Sequence, residues 1–182
     1  MRAIVPMLLL AAAPLAAKER PLPGPPPVPR VIESKCAAPE YRSFDFWVGE
    51  WDVFRTGTSD LAAVSVIEKL YGDCAIRENW FPSSQISGGS LTSYDSAAKV
   101  WRQTWVDANN ARVDFTGVFA GGRMVMTGLW RDMGGPGKDR TSRMTFFAQK
   151  DGTVRQIGEV SDDQGKTWTP DFDFTYYRKQ AK

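Results

Sequence analysis

From Gly49 onward the chain is a series of short runs rich in Val, Ile, Thr and aromatic residues, recurring every 8–14 residues and separated by Gly, Asp, Asn or Pro. That spacing is a pattern of β-strands and turns, and helical periodicity is nearly absent. It predicts strands near 49–56, 61–70, 74–81, 88–94, 99–106, 111–119, 123–131, 141–149, 153–161 and 167–178. Asp151-Gly152, Gly121-Gly122 and Asn109-Asn110 read as hairpin turns. Strands joined this tightly form an up-and-down meander, and a long meander leaves two unpaired edges unless it closes on itself. The expected fold is therefore all-β: a closed antiparallel up-and-down barrel of about ten strands. Side-chain alternation agrees. Trp101, Gln103 and Trp105 oppose Arg102 and Thr104, while Val113, Phe115, Gly117 and Phe119 oppose Arg112, Asp114 and Thr116.

The barrel does not begin at the N-terminus. Met1-Arg2 is a basic start, Ile4 to Ala17 is apolar, and Leu15-Ala16-Ala17 precedes the charged Lys18-Glu19-Arg20. Residues 1–17 read as a secretory signal peptide. A retained membrane anchor is the alternative, but the run falls short of the ~20 residues a spanning helix needs. Pro21 to Pro29, PLPGPPPVP, favours extended polyproline II and makes 18–35 a disordered linker. The barrel domain is expected over 36–179, in a secreted or periplasmic protein with no membrane span once the signal is cleaved.

Composition removes several function classes. Without Arg2 the chain carries 22 basic and 21 acidic residues and has no Lys/Arg block, which argues against nucleic acid. There is no histidine, so His-based triads, His zinc sites and His-ligated haem are excluded. Asp162/Asp163 and Asp171/Asp173 lack EF-hand spacing, and no metal or other cofactor is expected. Met133 to Lys138, MGGPGK, lacks the Gly-Lys-Ser/Thr ending of a phosphate loop. In an exported protein the two cysteines, Cys36 and Cys74, suggest a disulfide. Two free thiols are the alternative.

Two motifs carry resemblances. Ser161 to Trp168, SDDQGKTW, has the spacing of the Asp-box of sialidases. That box is a structural hairpin: its Ser and Asp bond turn amides, its Gly takes a positive φ, and its Trp packs beneath. Nothing else in the chain resembles a sialidase, so Trp168 is assigned a structural role. The second motif, FDFWVGEWDV from Phe44 to Val53, carries Gly49-Glu50-Trp51 at the mouth of the first strand. Gly-x-Trp there resembles lipocalin-like (calycin) barrels. Further along stand Ile67-Glu68, Gly72 to Trp80, Tyr94-Asp95, Trp101 to Asp107, the Asp-box and Tyr176-Tyr177-Arg178. Together these resemble an uncharacterised family of secreted bacterial proteins. The resemblance implies a calycin-like barrel in which Gly49 and Trp51 are structural and Trp51 packs across the base. Nitrobindin-type barrels are also similar, but they hold haem through a histidine, which this chain lacks.

Candidate site residues are polar groups in phase with apolar ones. Glu78 shares a face with Cys74, Ile76 and Trp80, and Glu68 with Val64, Val66 and Leu70. Both read as facing the barrel interior, with Arg143 or Arg155 as a compensating cation; the alternative is an outward Glu pair in solvent or a structural ion pair within the wall. Gln103, between Trp101 and Trp105, is expected to orient a ligand, and Trp80, Trp101 and Trp105 to line its pocket; the alternative is that the tryptophans fill the barrel and close its end. The expected function is binding of a small hydrophobic or aromatic molecule. Two alternatives remain: an isomerase or hydrolase using Glu78 or Glu68 as acid or base, and an envelope interaction module.

Overall fold

The computed structural model describes residues 34–83 and 86–179. The expected signal segment, and the linker up to residue 33, lie outside the described residues. Ten strands follow in chain order: β1 (Gly49–Arg55), β2 (Leu61–Leu70), β3 (Ala75–Pro82), β4 (Gly88–Asp95), β5 (Val100–Asp107), β6 (Arg112–Ala120), β7 (Arg123–Trp130), β8 (Arg140–Ala148), β9 (Val154–Ser161) and β10 (Thr169–Arg178). Each is antiparallel to its sequence neighbour, and β1 also pairs with β10, so the sheet is a closed up-and-down barrel. This architecture is consistent with a calycin-like fold. Strand boundaries fall within two residues of those read from the sequence. The tightest turn is Gly121-Gly122 between β6 and β7, where both residues have φ > 0 and Ala120 pairs with Arg123. That is the mirror-image turn geometry which matches the twist of the flanking strands.

The two ends of the barrel differ. At the end where β1 begins, two short 3-10 turns, Pro39–Arg42 and Asp45–Trp47, bring Phe44 and Trp47 inward. Both are fully buried. Their rings stack at 4.8 Å, and both pack on Phe146, while Phe44 also meets Trp101 edge-on. Trp51 lies beside them and donates its indole N–H to the Trp47 carbonyl at 2.9 Å. The guanidinium of Arg178, from the last strand, sits 4.4 Å from the Trp51 ring centre. Gly49 makes this possible: a Cβ there would clash with Arg178 Nη1, and its φ of +150° disfavours other residues. The Gly-x-Trp motif and the terminal arginine thus form one joint, closing the barrel seam and its floor together.

A disulfide joins Cys36 to Cys74, tying the segment ahead of the plug to the turn before β3. Around it Arg42 pairs with Asp73, and Lys69 with Asp45. The Asp-box forms the β9–β10 turn. Ser161 Oγ accepts from the Gly165 N–H, Asp163 accepts from the Lys166 and Thr167 N–H groups, and Gly165 has φ +88°. The Thr167 N–H, the Thr167 and Ser161 hydroxyls and the Lys166 N–H hold the Asp163 carboxyl down at about 2. Trp168 folds back on the turn, its indole N–H on the Gly165 carbonyl, with Arg143 stacked 3.9 Å from its ring centre.

Two outcomes are expected. Cys74→Ser should lower stability by roughly 2–5 kcal/mol, because the bridge closes a loop with a sequence separation of 38. Urea unfolding of oxidised variant and parent with equal midpoints would refute this. Trp51→Ala should cost roughly 3–5 kcal/mol as a large-to-small change in a sealed core, and unchanged melting would show that the floor does not depend on it.

Candidate functional site

The plug fills one half of the interior and leaves the other half open. Between the plug and the opposite rim lies a cavity of about 170 Å³. Its walls are aromatic: Trp80 from β3, Trp105 from β5, Phe115 from β6, Trp130 from β7, Phe146 from β8, and Phe172, Phe174 and Tyr176 from β10. Met144 completes the apolar surface, and the polar members are Glu78, Gln103 and Gln156. At the rim Trp130 also borders an outer polar recess of about 630 Å³, between Asp107–Arg112 and Arg131–Met133.

Glu78 is the centre of a buried polar cluster. It is 6% exposed and points inward from β3. Ser65 on β2 donates to its Oε1 at 3.1 Å, and Ser90 on β4 donates to its Oε2 at 3.1 Å. Gln103, one strand further on, donates its amide N–H to Ser90 Oγ at 3.2 Å and to Thr92 Oγ1 at 2.9 Å. Register explains the grouping, since Glu78 stands opposite Ser90 and Thr92 opposite Gln103. Burial pushes the Glu78 carboxyl up from 4.5 to about 7, against the opposing pull of the two serine hydroxyls. Across the cavity the Tyr176 hydroxyl donates to Gln156 Oε1. Among the described residues, the amide nitrogen of Gln156 reaches only the sulfur of Met144, at 3.3 Å. Sulfur is a weak acceptor, so this donor remains available to a bound molecule. Burial, and then the charge of Glu78, raise the Tyr176 phenol well above its ordinary value.

The sequence-derived candidates separate into two sets. Glu78, Gln103, Trp80 and Trp105 face the cavity. Trp101 is buried at the plug instead, against Phe44 and Tyr94. Glu68, Arg143 and Arg155 do not face the interior, and their expected places there are corrected. The β2–β3 hairpin pairs Ile67 with Glu78 and Glu68 with Arg77. Ile67 is therefore inward, and Glu68 lies on the outer wall in an ion pair with Arg77. Arg143 pairs with Glu159, and Arg155 with Asp173, again on the outside. Among the described residues no arginine is placed to compensate Glu78.

Ser65, Ser90 and Gln156 went unremarked in the sequence, and Tyr176 entered only as part of the terminal Tyr176-Tyr177-Arg178 motif. Ser65 stands between Trp51 on β1 and Trp80 on β3, where two indoles leave space only for a small side chain. A serine in register between tryptophans was the available signal for it. Among the described residues no group of three or more His, Cys, Asp or Glu is placed to hold a metal ion, and no helix is long and apolar enough to cross a membrane. No protein-family model and no curated protein matches the chain.

The cluster makes a prediction about pH. The unfolded chain deprotonates Glu78 near 4.5, whereas the folded protein keeps the proton up to about 7. The contribution of this group is therefore present in full below the unfolded value and is lost as pH rises through the folded one. Parent protein should lose on the order of 3 kcal/mol from this group between pH 4.5 and 8. Glu78→Gln should flatten that slope and be the more stable form at the alkaline end. Chemical unfolding across this range checks both, and parallel profiles would refute the assignment.

Proposed function

We propose that this chain is an exported barrel of the secreted calycin-like kind that binds a small molecule with a flat apolar or aromatic body inside the barrel. The observation that carries this reading is the cavity itself: aromatic on nearly every side, closed by the plug below, and supplied with a few buried polar groups. Sites for small ligands have this composition. The joint between Gly49, Trp51 and Arg178 supports the family assignment, because it gives the motif residues a common purpose. The disulfide supports export. An apolar cavity of ~150 Å³ accommodates benzene, so about 170 Å³ suits a single ring with a short substituent.

A second reading is catalytic. A buried carboxyl titrating at about 7 is suited to general acid or base work on a bound carbon acid or ester. A carboxyl that only binds would leave its ligand unchanged.

The test is calorimetric titration of the mature protein with toluene and benzyl alcohol, with native mass spectrometry of protein purified from its own cell envelope. At least one aromatic probe should bind at one site, and a small molecule should co-purify. Met144→Trp, which fills the cavity from β8, should abolish binding while preserving the melting transition. Absence of binding by every probe, or unchanged binding by the filled variant, would sink the proposal. Chemical conversion of the co-purified molecule, lost in Glu78→Gln, would favour the catalytic reading.

A further inference from the structure

We propose, resting on the reading of the barrel as a small-molecule binder, that its ligand is an organic cation: an ammonium group or protonated nitrogen heterocycle carried on one flat ring. The argument begins with charge. Among the described residues, Glu78 is the only acidic or basic side chain lining the cavity, apart from the phenol of Tyr176. Both arginines that could have neutralised it are spent on outward partners, Glu159 and Asp173. Arg178 is stacked on Trp51 at the floor and bonded to the Val48 carbonyl. The interior thus holds an acid with no base.

The hydrogen bonds around that acid can serve its charged form. Ser65 and Ser90 each donate to one carboxylate oxygen, and Gln103 donates to Ser90 Oγ. A serine hydroxyl can equally accept the proton of a neutral acid, so these contacts satisfy either form. They do not by themselves overcome the cost of burying the charge. A ligand cation supplies the missing charge. Each carboxylate oxygen retains lone-pair capacity beyond its serine partner, and the carboxyl group lines the cavity.

The walls point the same way. Trp80, Trp105, Trp130, Phe172 and Phe174 surround the open half of the cavity. Aromatic faces carry partial negative charge and attract ammonium groups, more strongly where water is excluded. The same features discriminate. A carboxylate or phosphate ligand would meet Glu78 with no cation to compensate it, so anions are rejected. A neutral aromatic gains the walls but leaves the carboxylate unpaired.

The test uses three probes of one shape: benzylammonium, benzyl alcohol and benzoate, titrated calorimetrically into the mature protein. At about pH 8.5, benzylammonium should bind roughly tenfold or more tightly than benzyl alcohol, and benzoate should not compete. Benzylammonium keeps its charge at about pH 5.5, where Glu78 is protonated, and its affinity should fall there roughly tenfold or more. Of the side chains facing Glu78, those from β2, β4 and β5 are hydroxyls and an amide. From β10 only the Tyr176 phenol titrates, well above this range, so the pH effect reports Glu78. Glu78→Gln should show no preference for benzylammonium over benzyl alcohol. Benzyl alcohol binding as tightly as benzylammonium, or cation affinity that ignores pH, would overturn the proposal while leaving the binding function intact. The parent-protein arms decide this even if the variant does not fold. Binding by none of the probes would sink both.

Discussion

Closure of the sheet between β1 and β10 is the constraint from which the rest follows. A closed barrel has no edge to protect, but its interior is fixed by strand number and shear. The side chains must divide that volume among themselves. Here the division is uneven along the axis. Phe44, Trp47, Trp51, Trp101 and Phe146 occupy the end where β1 begins and exclude solvent from it. Their bulk forces small residues opposite them, as with Ser65 between Trp51 and Trp80. The same joint that seals the seam also fixes the floor, because Arg178 belongs to the closing strand and stacks on Trp51 of its partner. Toward the other rim the aromatic side chains line the wall without meeting at the axis, and the space between them is the cavity.

Strand positions were legible because the turns are marked so plainly. Gly121-Gly122, Asp151-Gly152 and the Asp-box each interrupt the chain with residues suited to positive φ or side-chain capping. Given those breaks, ten strands and closure followed from the cost of open edges. Which face of each strand turned inward was harder. In β2 the outward set of Val64, Val66 and Leu70 is more hydrophobic than the inward set of Ala63, Ser65 and Ile67, so apolar content misplaced Glu68. Hairpin register carried the correction. Pairing across the β2–β3 turn sets Ile67 against Glu78, so Glu68 and Glu78 must lie on opposite faces. The same error affected Arg143 and Arg155, whose strand neighbours Thr145, Phe147 and Ile157 also lie half-buried on the outer wall. In a small barrel the outer face retains much apolar surface, and burial cannot be read from hydrophobicity alone.

What the sequence could not supply was the sharing of polar groups across strands. Ser65, Glu78, Ser90, Thr92 and Gln103 come from four successive strands and meet only after the register is set. None is distinctive alone. Together they place two hydroxyl donors on one carboxylate and an amide behind them, a network with every member satisfied or facing the cavity. Such a network is expensive to bury and is tolerated where its members bond fully.

The energetic balance at Glu78 then says what kind of residue it is. A carboxyl serving only as structure would gain from a paired arginine, and β8 and β9 both carry arginines close in sequence to inward positions. Both are turned outward by the alternation of their strands, and the inward neighbours are Ser142, Met144, Val154 and Gln156. An uncharged isostere, glutamine, would keep the serine contacts without the desolvation cost that raises the Glu78 proton affinity. The folded state therefore carries an ionisable group whose charge the fold itself opposes, at a place where aromatic walls leave room for another molecule. That combination of cost and access supports the proposed reading of the Glu78 cluster as a binding site.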